Sequence, residues 1–373
     1  MKKRYLSLDI LRGLTVALMI VVNNPGSWGK MFPPLRHAEW DGCTPTDLVF
    51  PFFLFCVGTS MAFALAKYDG LSREALTKIF KRGIGIFLVG LGLHAFPFYP
   101  TWQNPDLTLW QNYLEWFREF RIFGVLQRIA LCYVVASVLA LWLRTPKKIL
   151  ASIAVLSVLH VGIQLVFAGP EGAFTLEGNI TRHIDAALIG EAHLYNGYRF
   201  ADGSAAAFDP EGIFGVLTGS CTALLGFLIG NILRKDGDSG LKIAHLYSLA
   251  ALSLAFSQIL SIWIPINKPL WSVSYVFYAG GWAIFVLALL TWLTEVKGWV
   301  KVFTPLRAFG MNPLFIFSLS SLLAKTISSV LGWNVAAVFG ATEFLSLTYA
   351  LLYMLLHLFV AMVLYKKNIV IKI

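Results

Sequence analysis

Apolar residues gather into ten stretches along this chain, separated by polar segments rich in Gly, Pro, Trp and charged residues. They lie near 8–24, 47–67, 79–97, 122–143, 149–168, 212–233, 243–264, 270–293, 303–323 and 343–365. A helix needs about 20 mostly apolar residues to cross the roughly 30 Å hydrocarbon core, where no water can satisfy a free backbone group. The pattern therefore predicts an all-α protein, a polytopic integral membrane bundle of about ten transmembrane helices forming one domain over 1–373. The stretch 327–341 is too short and too punctuated by glycine for a span, and reads as interfacial or re-entrant. MKKR before the first stretch is followed by no small-residue cleavage site, so that stretch is expected to be a retained helix.

Charge orients the bundle. With the N-terminus placed in the cytoplasm, 20 Lys and Arg fall in inside segments, among them Lys2, Lys3, Arg4, Arg73, Lys78, Lys81, Arg82, Arg144, Arg234 and Lys372. Eight fall outside: Lys30, Arg36, Arg118, Arg121, Arg182, Arg199, Lys268 and Lys325. The positive-inside rule then puts both termini in the cytoplasm. It turns the long polar loops 25–46, 98–121 and 169–211 outward. The third of these carries seven acids against Arg182 and Arg199, an acidic surface suited either to a cationic partner such as an amino sugar or to plain solvation.

Composition agrees with the membrane reading: 57% of residues are hydrophobic, 13% are charged, and the mean hydropathy is +0.70. The net charge of +10 does not indicate nucleic acid, because the basic residues lie in short clusters beside apolar runs. Four cysteines, Cys43, Cys56, Cys132 and Cys221, show neither disulfide nor metal-ligand spacing, and no metal site is expected.

Polar residues in apolar surroundings mark the candidate chemistry, since ionisable groups in a membrane are costly and usually functional. Asp9 and Arg12 are three apart on one helix face, able to pair as a structural ion pair or beside a ligand. Gln127 and Arg128 sit together in the fourth stretch, where a bundle-facing role for the arginine competes with snorkelling. Asn23 and Asn24 close the first stretch; Asn312 precedes Pro313 within the ninth, where it could satisfy the backbone groups that the proline frees. RHAEWDGCTPTDLVF, 36–50, gathers His37, Trp40, Asp41 and Asp47 at the mouth of the second span. A carboxylate on one imidazole nitrogen fixes the tautomer and raises the basicity of the other, equipping His37 as general base or nucleophile. An amide such as Asn23 could steady an oxyanion. By spacing alone, a solvated loop histidine stays open.

At these residues the chain resembles a known family. SLDILRG, VVNNPG, RHAEWDGCTPTDLVFPFFLFCVGTS, FRIFGVLQRI, AFDPEGIFG, IPINKPLWSVSYV and FGMNPL occur in that order from residue 7 to about 314. They are similar to motifs of the heparan-alpha-glucosaminide N-acetyltransferase family, and more closely to its bacterial members, some labelled as N-acetylglucosamine transporters. The resemblance implies transfer of acetyl from cytoplasmic acetyl-CoA, as substrate, to the amine of a glucosamine-type sugar across the membrane. It places the active-site histidine at His37, with Asn23 and Asp47 supporting it; Asp9 and Arg12 match the D-x-x-R-G at the start of the family's core. Asn24, Trp40, Asp41, Gln127, Arg128, Asn267, Lys268 and Trp271 are expected among the substrate contacts, and Asp209 and Glu211 on the acceptor surface. The implied setting is a bacterial inner membrane, with a homodimer compatible with the family and no N-terminal luminal domain ahead of the first span. An acetyl-histidine route and a ternary complex stay open, as does a different class, a secondary transporter for an amino sugar.

Overall fold

Every apolar stretch becomes helical in the computed structural model, which describes residues 5–100 and 103–371. Lys2, Lys3, Arg4 and Lys372 of the charge count lie outside the described residues. In chain order the helices are α1 (Leu6–Asn23), α2 (Val49–Ala64), α3 (Arg73–Ala95), α4 (Leu109–Arg118), α5 (Val125–Leu143), α6 (Pro146–Val166) and α7 (Ile180–Ile189). There follow α8 (Val216–Arg234), α9 (Ser239–Leu260), α10 (Val273–Thr291), α11 (Thr304–Met311), α12 (Pro313–Lys325), α13 (Val335–Phe339) and α14 (Glu343–Lys366). A two-residue hairpin, Tyr198–Arg199 with Ala205–Ala206, is the one paired sheet among the described residues. The protein is an all-α, multi-pass membrane bundle.

Nine helical runs among the described residues are long and apolar enough to cross a membrane. The exception to the ten expected is α3, whose first ten residues include Lys78, Lys81 and Arg82. Topology nevertheless requires it to cross. The α2 segment starts at the end of the bundle that holds His37, α5 starts there too, and the chain between Ala64 and Val125 has to return. At about 1.5 Å per residue, the 23 residues of α3 reach roughly 34 Å, and basic side chains near its start can extend to the interface.

The ninth stretch, expected as one span over 303–323, is broken. Pro313 has no N–H to continue the preceding helix, so α11 stops at Met311 and α12 begins at Pro313. The crossing run is instead Pro313–Val330, ending in a π-helical turn over Thr326–Val330. Asn312 serves the C-terminal tail rather than the break: Nδ2 donates to Ile369 O at 2.9 Å, and Oδ1 accepts from Ile371 N at 2.8 Å. Residues 327–341 add no further span, holding only the end of that turn and the five-residue α13.

Small residues let the helices close on one another, as expected where no hydrophobic effect separates helix from lipid. A Cβ on Gly58 would lie 1.9 Å from Ala223 O, and one on Gly226 2.2 Å from Phe55 O, so α2 and α8 touch backbone to backbone. This pair forms the centre of the bundle, with α5 and α10 against it. The start of α1 and the tail after α14 share the end opposite His37: Ser7 accepts from Thr291, and Ile371 bonds Asn312.

Candidate active site

The polar loop between α1 and α2 is shaped by prolines and by one carboxylate. Pro33 and Pro45 each open a single 3-10 turn, and the second turn, Pro45–Leu48, presents Asp47 to the loop that precedes it. Asp47 is 1% exposed yet fully bonded. Its Oδ2 accepts from the backbone N–H groups of Ala38 and Thr44, both at 3.0 Å, and its carbonyl accepts from the Tyr275 hydroxyl at 2.6 Å. Its Oδ1 meets His37 Nδ1 at 2.6 Å and Lys268 Nζ at 3.3 Å. A buried carboxylate is stable only with such partners.

His37 itself is exposed, its side chain retaining 47% of its accessible surface. Nδ1 has two neighbours, Asp47 and the Lys268 ammonium at 3.0 Å, and cannot donate to one while accepting from the other. The shorter contact assigns the proton to Nδ1, donated to Asp47, and leaves Lys268 as the counter-charge of the carboxylate. The other nitrogen, Nε2, makes no hydrogen bond within the described residues.

Lys268 arrives from the loop between α9 and α10, which is stitched to the His37 loop. Gly42 N donates to Ile266 O at 2.7 Å, and Asn267 Nδ2 donates to Trp40 O at 3.2 Å and Asp41 Oδ1 at 3.1 Å. Asn267 Oδ1 accepts from Leu270 N at 2.7 Å, closing the turn. Trp271 sits in that turn with a φ of +51°, a strained conformation for a large side chain, held by burial and by its Nε1–H donating to Thr222 at 3.1 Å.

His37 and Asp47 line a cavity of about 530 Å³, which Asn23, Gln127, Glu211 and Lys268 also line. Its far wall is made by the segment ahead of α8, and Arg128 builds that wall. Only 1% exposed, Arg128 donates to the carbonyls of Pro210, Glu211, Gly212 and Gly215 at 2.9–3.3 Å, with no snorkelling. Arg121 then clamps the two acids that this segment carries. It grips Asp209 through two bonds of 2.8 and 2.9 Å, reaches Glu211 at 2.7 Å, and lies 4.7 Å from the Tyr195 ring. Tyr195 and Tyr198 complete the wall.

Of the residues singled out in the sequence, Asn23, His37, Asp47, Gln127, Glu211 and Lys268 therefore meet at one cavity. Trp40, Asp41, Arg128, Asp209, Asn267 and Trp271 stand behind it as its scaffold. Asn24 donates back to Ile20 O at 2.8 Å and does not line it. Asp9 and Arg12 lie toward the other end of α1, where Arg12 bonds Asp9 at 3.3 Å, Gly310 O at 3.2 Å and Ser60 at 3.1 Å. Arg121, Tyr195, Tyr198, His94 and Lys325 line the cavity without having been singled out; only the aromatic–acid composition of 169–211 hinted at two of them. The acids of that loop do not all form a surface, since Asp185 and Asp209 are buried at 0% and 1% exposure.

Cys43 lies in the same loop as His37. Burial pushes its thiol up to about 12, the Asp47 carboxylate adding to the effect and Lys268 opposing it. No cluster of three or more metal-ligating side chains occurs among the described residues.

The sequence matches known proteins over the elements that carry this geometry. Residues 4–178 match a family model described as heparan-alpha-glucosaminide N-acetyltransferase, catalytic. The mouse protein named heparan-alpha-glucosaminide N-acetyltransferase is 30% identical over 354 residues, covering 82% of this chain and 51% of the relative. The human protein of that name is 31% identical over 359 residues, covering 83% of this chain and 52% of the relative. The chain spans about half the length of these curated relatives. The matched region includes the His37–Asp47 loop and its supporting helices, and through it the chain belongs to the heparan-alpha-glucosaminide N-acetyltransferase family.

Proposed function

We propose that this protein is a transmembrane N-acetyltransferase, taking acetyl from acetyl-CoA at the cytoplasmic face and delivering it to the amine of a glucosamine-type sugar on the other side. The observation that carries the reading is the buried Asp47 carboxylate 2.6 Å from His37 Nδ1, with His37 opening onto a cavity of about 530 Å³. A cavity of this size holds a small-molecule ligand. Family membership supplies the reaction class.

In this reading Asp47 holds the Nδ1–H tautomer and stabilises the imidazolium that forms when Nε2 takes a proton. Nε2 removes the proton of the attacking sugar amine. The amine nitrogen bonds to the thioester carbonyl carbon, the C–S bond breaks, and CoA leaves as the thiol. Acetyl transfer through His37 Nε2 itself is the two-step variant of the same geometry. Asn23 lines the cavity, which supports a role in donating to the carbonyl oxygen as charge develops there. Glu211, Tyr195 and Tyr198 offer the polar and aromatic surface a sugar needs, with Glu211 an acceptor for an ammonium or hydroxyl.

The distribution of charge supports this sidedness. The end of the bundle opposite His37 carries Arg73, Lys78, Lys81, Arg144, Arg234 and Lys235, and is assigned to the cytoplasm of a bacterial inner membrane. The phosphates of CoA would stay at that face. The cavity is lined inward as far as Met19, Gly90 and Phe317, the direction from which the thioester would reach His37 in this reading.

The test is acetyl transfer from labelled acetyl-CoA to glucosamine by purified protein in detergent, comparing wild type with His37→Ala and Asp47→Asn. A positioned general base contributes about 10²–10⁴-fold, and losses of that size are expected in both variants, with the melting temperature unchanged in His37→Ala and lowered in Asp47→Asn, which also removes the buried charge that Lys268 faces. Transfer by His37→Ala at the wild-type rate would sink the assignment of His37. A wild type that transfers to no amino sugar tried, yet takes one up into sealed vesicles without CoA, would favour transport instead.

A further inference from the structure

Helix α4, Leu109–Arg118, is one of the short helices of the chain. Ten residues cannot span a membrane, and among the described residues α4 packs closely against no other helix. Its residues divide into three arcs at about 100° per residue. Leu109, Trp110, Tyr113, Leu114 and Phe117 fall within one arc, and Leu109, Trp110 and Phe117 are 61%, 70% and 61% exposed. Gln111, Glu115 and Arg118 share a neighbouring arc and are exposed. Asn112 and Trp116 occupy the third, turned toward the segments that flank the helix. Asn112 donates to Asn104 O, Leu107 O and Thr108 O at 3.1–3.2 Å, and Trp116 meets the Phe120 ring at 5.5 Å.

An apolar face flanked by a polar one on a short helix is the pattern of a helix lying in a membrane interface. The position of α4 supports this, because it stands in the chain between the end of α3 and the start of α5, both at the His37 end of the bundle. Only residues 119–124 separate it from the start of α5, so α4 is held within roughly 25 Å of the level at which that span begins. The polar arc holds one Glu and one Arg, so it asks for no particular lipid charge.

We propose that α4 lies flat in the headgroup region at the His37 end, with Trp110, Leu114 and Phe117 among the acyl chains of a phospholipid bilayer. The anchoring matters to the cavity. Three residues beyond α4, Arg121 clamps Asp209 and Glu211, and Phe120 O accepts from His193 Nδ1 at 2.7 Å. Fixing α4 at the lipid surface therefore fixes the height of one cavity wall relative to the bilayer, whatever reaction occurs there.

The experiment places nitroxides on single cysteines introduced as Leu114→Cys, Phe117→Cys, Gln111→Cys and Glu115→Cys in the full chain. The chain is reconstituted in phosphatidylcholine nanodiscs, and the signal of the native cysteines in the unsubstituted chain is subtracted. Collisions with oxygen, which partitions into lipid, are compared with collisions with a water-soluble nickel chelate. A several-fold excess of oxygen collisions at positions 114 and 117, and the reverse at 111 and 115, is expected, unchanged when anionic lipid is added. Nickel access at all four positions would overturn the proposal. So would shielding of 114 and 117 from both reagents together with spin–spin broadening, which would show a second copy covering the face. A photoreactive acyl chain cross-linked to residues 109–118 of the unsubstituted protein is a second readout that needs no substitution; absence of that adduct, with adducts on the spans present, would also overturn it.

Discussion

His37 and Asp47 illustrate how one buried charge organises a site. Asp47 gathers two backbone N–H groups, an imidazole and an ammonium, and in doing so folds the loop that presents His37. Asp185 shows the opposite condition. Its Oδ1 accepts from Phe214 N at 3.0 Å, but its buried Oδ2 has no hydrogen-bond partner among the described residues. Burial pushes this carboxyl up to about 6, with Asp209 adding while Phe214 N–H and Arg128 pull the other way. A folded-state value above the ordinary one means that the fold prefers the protonated acid. The associated stability is fully present below about pH 4 and is lost as the pH rises through about 6, on the order of 3 kcal/mol in all. Melting temperature in detergent should therefore fall between pH 5 and pH 7.5, and Asp185→Asn should flatten that fall. An identical pH slope in both proteins would show that Asp185 is not its source.

At the scale of the elements, the α2–α8 contact controls whether the bundle closes. The two backbones meet at Gly58 and Gly226, where any side chain would enter the facing carbonyl. Gly226→Leu should lower stability by about 1–3 kcal/mol or more, because overpacking a filled contact forces the helices apart. Gly92 on α3 is the control, since a Cβ there meets nothing within 4 Å. Gly92→Ala should be neutral or stabilising by up to about 1 kcal/mol, as an alanine in a helix interior. Thermal unfolding followed by size-exclusion in detergent checks both; equal melting temperatures for Gly226→Leu and wild type would refute the close contact. Helix ends matter here as well. Lys325 of α12 donates to the carbonyls of Leu93, His94 and Phe96, so one cation ties α12 to the orphan carbonyls that close α3 beside the cavity.

For the whole molecule, the question is which way the bundle faces. The start of α1 and the tail after α14 share one end, and the His37 cavity opens at the other. Asp202, near the hairpin turn, and Asp236, after α8, are exposed at these opposite ends. In intact bacterial cells a membrane-impermeant maleimide should label Asp202→Cys and leave Asp236→Cys untouched until the cells are broken. Labelling with the reverse pattern would invert the orientation and move the His37 cavity to the cytoplasm.

Much of this architecture is local information. A run of apolar residues of membrane length becomes a helix wherever the backbone has no water to bond, so the spans were legible one by one. His37 was legible as a histidine with two acids, Asp41 and Asp47, close in one loop, and only the fold shows that Asp47 meets Nδ1 while Asp41 bonds Asn267. The break at Pro313 was written in the chain, but hydropathy averages across a single proline, and only the backbone shows that α11 and α12 part there. What the sequence alone could not determine is every contact that closes a long path through the chain. Lys268 meets His37 across 231 residues, Arg121 meets Asp209 across 88, and the carbonyls that satisfy Arg128 lie more than 80 residues away. Charges and hydrogen-bonding groups announce in a sequence that they need partners; which partners they find is settled by how the helices pack.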